Sequence, residues 1–213
     1  MIETIIEFIL HIDVHLATII QTYGGLVYIF LFLIIFIETG FVFMPFLPGD
    51  SLLFIAGTFA ATDVLNAYLL FLLLSIASIL GDTVNYWLGR YAGEKVFKRF
   101  IKQEYLERTK LFFHEYGKKT VVIARFVPII RTFAPFVAGI GRMNYVTFLS
   151  YNIIGGLAWV GIFIFSGFYF GNIPFVKNNL TAITLMIIVA SFIPAVLEYI
   201  KHKRKNLKIK KKE

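Results

Sequence analysis

The sequence predicts an all-α integral membrane protein, with transmembrane helices and two re-entrant helical hairpins arranged as an inverted repeat. Three observations predict it. Of the 213 residues, 58% are hydrophobic and only 16% charged, whereas a soluble chain is about half apolar and roughly a quarter charged. Residues 1–89 carry seven acids and no Lys or Arg, while residues 90–213 hold all 21 basic residues and six acids. Long uncharged runs alternate with shorter apolar stretches that proline and charge interrupt. The absence of cysteine excludes a disulfide framework, a Cys-ligated metal and thiol catalysis. The opening MIETIIEF carries two glutamates and no positive n-region, so every residue is expected to belong to the mature protein.

Residues 1–22 form the first element. Glu7, His11 and His15 are spaced i, i+4, i+8 there, a geometry that could hold a metal. The better reading is the wet face of an amphipathic interfacial helix, and no metal or cofactor is expected. Whether this segment crosses the membrane or lies on it stays open. The run Leu26 to Ile37 is then closed by Glu38, Pro45, Pro48, Gly49 and Asp50, and only 12 uncharged residues follow before Asp63. At 1.5 Å per residue those reach about 18 Å, too little for a core of ~30 Å. A re-entrant hairpin over about 38–62 is expected, broken at Pro45, Pro48 and Gly49. Residues 64–88, beginning VLNAYLLFLLLSIASILG, are long enough to cross.

Residues 94–116 mix Val96, Phe97, Phe100, Leu111 and Phe113 with charge and are expected on the inner membrane surface. The next stretch, about 120–141, is interrupted by Arg125, Pro128, Arg131 and Pro135, and both its ends lie beside positive charge. A second re-entrant hairpin follows, with breaks at Pro128 and Pro135. Such backbone is tolerated at membrane depth only where protein or a water-filled cavity covers it. Residues 145–170 and 178–200 are the remaining spans, separated by an outer turn at Gly171, Asn172 and Pro174. Nine basic residues between Arg90 and Lys119 and eight between Lys201 and Lys212 place both clusters, and the C-terminus, in the cytoplasm. The membrane domain is thus 23–200. The basic tail 201–213 is expected to meet anionic lipid headgroups rather than nucleic acid.

The two halves share a pattern: F-hydrophobic-A-G (54–57 and 136–139), a tryptophan (Trp87 and Trp159), then G-x-Y-x-G (89–93 and 167–171). An inverted repeat places a binding site at the midplane between broken helices. Glu38, Asp50, Asp82, Arg125 and Arg131 fall in apolar surroundings, where each unpaired charge costs roughly 2.5–3.5 kcal/mol at the least. The simplest pairing sets Glu38 and Asp50 of the first hairpin against Arg125 and Arg131 of the second. Asp82 would either line the cytoplasmic exit or be hydrated near a helix end.

IETGFVFMPFLPGDSLLFIAG, GDTVNYWLGRYAG and ARFVPIIRTFAPFVAGIGRMNY resemble the signature segments of the DedA family of bacterial membrane proteins, also called the VTT or SNARE-associated domain. The resemblance covers residues 25–171. It implies two re-entrant hairpins, movement of lipid between leaflets, dependence on the proton gradient, and a place in the bacterial cytoplasmic membrane. By similarity the family's functional acids fall on Glu38 and Asp50 and its functional arginines on Arg125 and Arg131. The family includes members implicated in recycling undecaprenyl phosphate and others in moving phosphatidylethanolamine or phospholipids generally.

The residues themselves slightly favour the phosphate monoester, because guanidinium groups bind phosphate bidentately. Glu38 or Asp50 could equally meet the ammonium of phosphatidylethanolamine, so a phospholipid scramblase or flippase stays as the alternative. Arg125 and Arg131 are thus the expected phosphate ligands, and Glu38, Asp50 and Asp82 the expected proton-coupling acids. A proton-coupled ion antiporter is the reading from another class, which the two arginines disfavour. No G-x-S-x-G or H-E-x-x-H motif is present, and no enzyme is expected. Membrane lipid and protons are the expected partners, and self-association into a homo-oligomer is left open.

Overall fold

The computed structural model describes residues 12–41, 49–97, 103–180, 182–187 and 189–190. Among the described residues every regular element is helical and none is a strand. Helix α1 (Ile12–Tyr23) passes through a 3-10 turn into α2 (Val27–Gly40), and α3 (Gly49–Ala61) and α4 (Ala67–Phe97) follow. Then come α5 (Gln103–Tyr116), the single turn α6 (Thr120–Ile123), a 3-10 turn over Ala124–Phe126, and α7 (Pro128–Ile140). Helix α8 (Tyr145–Phe170) and the short α9 (Pro174–Asn178) complete the ordered series.

Two of these helices are long and apolar enough to cross a membrane, over Ala67–Tyr91 and Tyr145–Phe170, 25 and 26 residues. They reach about 38 Å at 1.5 Å per residue. The expected spans 64–88 and 145–170 fall on them. Their outward faces are apolar: Tyr68, Leu72, Ile76 and Leu80 recur every fourth residue on α4 and are exposed. That stripe suits lipid rather than water. Of the third expected span, 178–200, residues 182–187 and 189–190 are helical, while Asn178 still belongs to the preceding short helix and Asn179 forms a turn; residues 181, 188 and 191–200 and the basic tail lie outside the described residues, as do Glu7 and His11, while of the His15 side chain nothing is described.

By contrast α2, α3 and α7 have 14, 13 and 13 residues, about 20 Å each. None can cross a bilayer alone. Phe41 turns extended after Gly40, with φ −112° and ψ 116°. Pro45 and Pro48, two of the expected breaks, lie outside the described residues, and Gly49 opens α3. In the second half the break is at Val127, with φ −122° and ψ 101°. That is the region a following proline imposes. Pro128 then starts α7, where its missing N–H costs nothing. The expectation of a second break at Pro135 is corrected: Pro135 lies inside α7, which runs unbroken to Ile140. Proline is tolerated within a buried membrane helix when neighbours satisfy the carbonyls it disturbs, and Asn85 donates to Thr132 O in that same turn at 2.9 Å.

The halves are joined by exchange. Helix α2 packs on α4 and α6 on α8, each first limb against the long helix of its own half, whereas α3 packs on α8 and α7 on α4, the long helix of the other. The paired glycines explain how closely the exchanged limbs approach. A β-carbon on Gly57 would lie 2.2 Å from Ile164 O, and one on Gly167 2.0 Å from Phe54 O. In the mirrored contact a β-carbon on Gly139 would lie 2.1 Å from Tyr86 O, and one on Gly89 2.1 Å from Phe136 O. The two F-x-A-G segments and the glycines at 89 and 167 are therefore equivalent in packing. Trp87 and Trp159 are not: Trp87 is half-buried against Tyr91 and Tyr145, while Trp159 is fully buried.

Because backbone meets backbone at these crossings, Gly57→Val and Gly139→Val should each destabilise the protein by at least ~1–3 kcal/mol, the cost of overpacking. Gly25→Ala, where nothing lies within 4 Å, should be nearly neutral. Thermal melting and monodisperse yield in detergent check both.

Candidate functional site

All five charged residues singled out in the apolar segments converge between α2, α3, α4, α7 and α8. They do so because four of them flank the helix breaks. Glu38 stands in the last turn of α2, Asp50 in the first turn of α3, and Arg131 in the first turn of α7, with Arg125 in the 3-10 turn just before Val127. Asp82 comes from the middle of α4.

The charges sort into two clusters. Arg131 is a fork: Nη1 donates to Asp50 Oδ1 at 2.6 Å and Nη2 to Glu38 Oε1 at 2.7 Å. One guanidinium therefore ties three helices together. The second oxygen of Glu38 lies against Gly49, where a β-carbon would come within 2.0 Å of it. A side chain there would force the carboxylate to shift. Arg125 forms the second cluster, donating from Nη1 to Ser78 Oγ at 2.7 Å and from Nη2 to Asn152 Oδ1 at 2.5 Å and to the Asp82 carboxylate. Asn152 is fixed in turn by its own donation to Ile79 O at 3.0 Å. Gly155 and Gly156 make room for this side chain, since a β-carbon on Gly155 would meet Arg125 Cδ at 3.0 Å.

Trp159 joins the clusters. Its Nε1 donates to Asp50 Oδ1 at 2.8 Å, and both guanidiniums lie over its ring, Arg131 at 5.1 Å and Arg125 at 5.9 Å from the centroid. Burial makes these contacts matter: Glu38, Asp82 and Arg125 are each 4% exposed or less. Away from water, ion pairs and cation–π contacts are screened little.

The expected pairing is thus corrected in one respect. Arg131 takes both Glu38 and Asp50, while Arg125 takes Asp82. Asp82 is not hydrated near a helix end: it is buried in the middle of α4, where Ser78, one turn earlier, accepts from the same guanidinium. Sequence reading passed over Ser78 and Asn152, and it noted Trp159 only as a mark of the repeat. The signal for Asn152 was present, since an amide within an uncharged span needs a partner. Trp159 gave none, an indole in an apolar helix being unremarkable.

Residues 47–169 match the family model described as the VTT domain. The chain is 52% identical over 210 residues to Protein DedA of Escherichia coli K12, covering 96% of each chain. It is 40% identical over 181 residues to an uncharacterized membrane protein of Mycobacterium tuberculosis H37Rv, covering 82% of this chain and 79% of that one. It is also 34% identical over 154 residues to the inner membrane protein YqjA of Escherichia coli K12, covering 70% of each. No solved structure matches.

The geometry makes a prediction that needs no transport assay. Arg125→Met should strand Asp82 and destabilise the protein by ~3–5 kcal/mol, whereas Arg125→Met with Asp82→Leu should recover most of that loss. Denaturant or thermal melting of the four-member cycle measures the coupling, and additive effects would mean that the pair contributes nothing.

Proposed function

The chain belongs to the VTT-domain, or DedA, family of bacterial membrane proteins, and from that premise we propose that it is a lipid transporter driven by the proton-motive force, most simply of a lipid phosphate monoester such as undecaprenyl phosphate. The observation that carries this reading is the charge count of the buried site. Three carboxylates face two guanidiniums, an excess of one negative charge that a single proton cancels. A site that exchanges ligands under that constraint links lipid to proton.

The proposed exchange runs at Arg131 and Arg125. A guanidinium that now holds carboxylates presents the same two parallel N–H donors that a phosphate would occupy. When phosphate oxygens replace Glu38 and Asp50 on Arg131, the displaced carboxylates lose their counter-charge and face a new anion, so binding of the lipid favours proton uptake by the site. Release of the lipid restores the ion pairs and returns the proton. Glu38, Asp50 and Asp82 are the proposed proton-coupling acids, and Arg125 and Arg131 the proposed phosphate ligands. In this reading α2–α3 and α6–α7 are re-entrant pairs entering from opposite sides. The chain is multi-pass, its C-terminus and basic tail lie in the cytoplasm against anionic lipid, and no covalent chemistry is involved.

One observation favours a second substrate. Arg131 is flanked by two carboxylates, and a guanidinium beside a carboxylate matches a zwitterionic head with one phosphate and one ammonium. Phosphatidylethanolamine therefore belongs in the same experiment: reconstitution in liposomes, following transbilayer movement of both lipids with and without an imposed pH gradient. Gradient-independent behaviour of both would overturn the reading.

In that assay Arg125→Lys and Arg131→Lys should each lose most activity although charge is kept, because an ammonium cannot supply the planar pair of donors. Glu38→Gln and Asp50→Asn should keep downhill exchange and lose its dependence on the gradient. Topology is checked separately: cysteines at Lys118 and Lys205 should react with an impermeant thiol reagent from the cytoplasmic side, and one at Asn172 from outside. Labelling of Lys118 from outside would reverse the orientation.

A further inference from the structure

Helix α4 touches both broken pairs along one face. Gly81, Asn85 and Gly89 stand at i, i+4 and i+8 on it, and the two glycines are its points of closest approach. A β-carbon on Gly81 would lie 1.9 Å from Thr39 Oγ1 at the end of α2, and one on Gly89 2.1 Å from Phe136 O of α7. Between them Asn85 is fully buried. Its Nδ2 donates to Thr39 O at 3.2 Å and to Thr132 O at 2.9 Å.

Those two carbonyls belong to the residues that directly follow Glu38 and Arg131. The first lies where a helix leaves its carbonyls without donors, and the second lies beside the one that proline leaves without a donor. Thr39 is the penultimate residue of α2, where the last four carbonyls of a helix have no partner within it. Thr132 lies in the turn that Pro135 weakens, since proline cannot donate back to the carbonyl four residues earlier, that of Arg131. One amide thus grips the backbone beside each member of the Glu38–Arg131 pair without touching either side chain.

We propose that Asn85 is a positioning residue of the transport site: it sets the separation of the α2 end and the first turns of α7, and so the geometry in which Arg131 meets Glu38 and Asp50. The same helix carries Asp82 one turn earlier, so a shift of α4 moves the Arg125 cluster and the Arg131 cluster together. The inference rests on the transport reading for its functional half and on geometry alone for the other.

The test uses the full chain with Trp87→Phe, leaving Trp159 as the only tryptophan. Its emission reports the cluster, because Trp159 donates to Asp50 and packs against both guanidiniums. Asn85→Leu removes the amide while keeping the number and branching of its heavy atoms, and Asn85→Ser, smaller and still polar, serves if the leucine variant does not fold. Tyr86→Phe is the control, removing a hydroxyl of the same helix that donates to Met143 O at 2.5 Å and accepts from Arg90 Nη1 at 2.8 Å, outside the Arg125 and Arg131 clusters. At unchanged helicity, the Asn85 variants should shift Trp159 emission and reduce gradient-driven lipid movement by about tenfold or more, the scale expected for a group misplaced by ~1 Å. Tyr86→Phe should alter neither. Wild-type emission in a folded Asn85 variant would overturn the positioning role whatever transport does. Shifted emission with full transport would overturn its functional half, and an inactive parent protein would overturn the transport reading while leaving the emission test standing.

Discussion

A buried charge has to be cancelled where it stands, and the fork of Arg131 between Glu38 and Asp50 is where this protein meets that constraint. The backbone makes the pairing reciprocal. Glu38 is near the C-terminus of α2, where the helix dipole opposes a negative charge, and Arg131 is in the first turn of α7, where it opposes a positive one. Each is set unfavourably on its own helix and favourably beside the other's end. Asp50, in the first turn of α3, is favoured on its own helix as well. Three helix termini that would otherwise leave unpaired backbone groups in an apolar interior are drawn to one point, so the breaks in the helices and the charges near them are one structural feature.

The exchanged packing keeps that point fixed. If each broken pair packed only on the long helix of its own half, the halves could separate and take the acids away from the arginines. Instead α3 is locked on α8 through Gly57 and Gly167, and α7 on α4 through Gly139 and Gly89.

Much of this was legible in the sequence. Composition, the segregation of basic residues and the uncharged runs led to a helical membrane protein, and intramembrane cost alone picked out Glu38, Asp50, Asp82, Arg125 and Arg131. Partner choice was not legible. Arg125 and Arg131 are six residues apart and read as an equivalent pair, but the break at Val127 lies between them and sends their side chains to different helices. Pro135 was misread because the rule that proline ends a helix gives way where the helix is packed in protein at membrane depth, and α7 runs on through it. Trp159 stayed hidden because its role depends on what faces it, not on its own chemistry.

The two clusters cannot be treated as independent. Trp159 bonds Asp50, which belongs to the Arg131 cluster, and lies beneath the guanidinium of Arg125, which belongs to the other. Its helix also supplies Asn152 to Arg125. A ligand that draws Arg131 away from its carboxylates therefore removes a neighbour from the indole and alters the field at Arg125 and Asp82 in a medium that screens little. With three carboxylates against two guanidiniums, the proton of the proposed coupling need not belong to one cluster: which acid would take it up depends on which guanidinium the ligand occupies, so the proposed coupling would be a property of the joined site rather than of one ion pair.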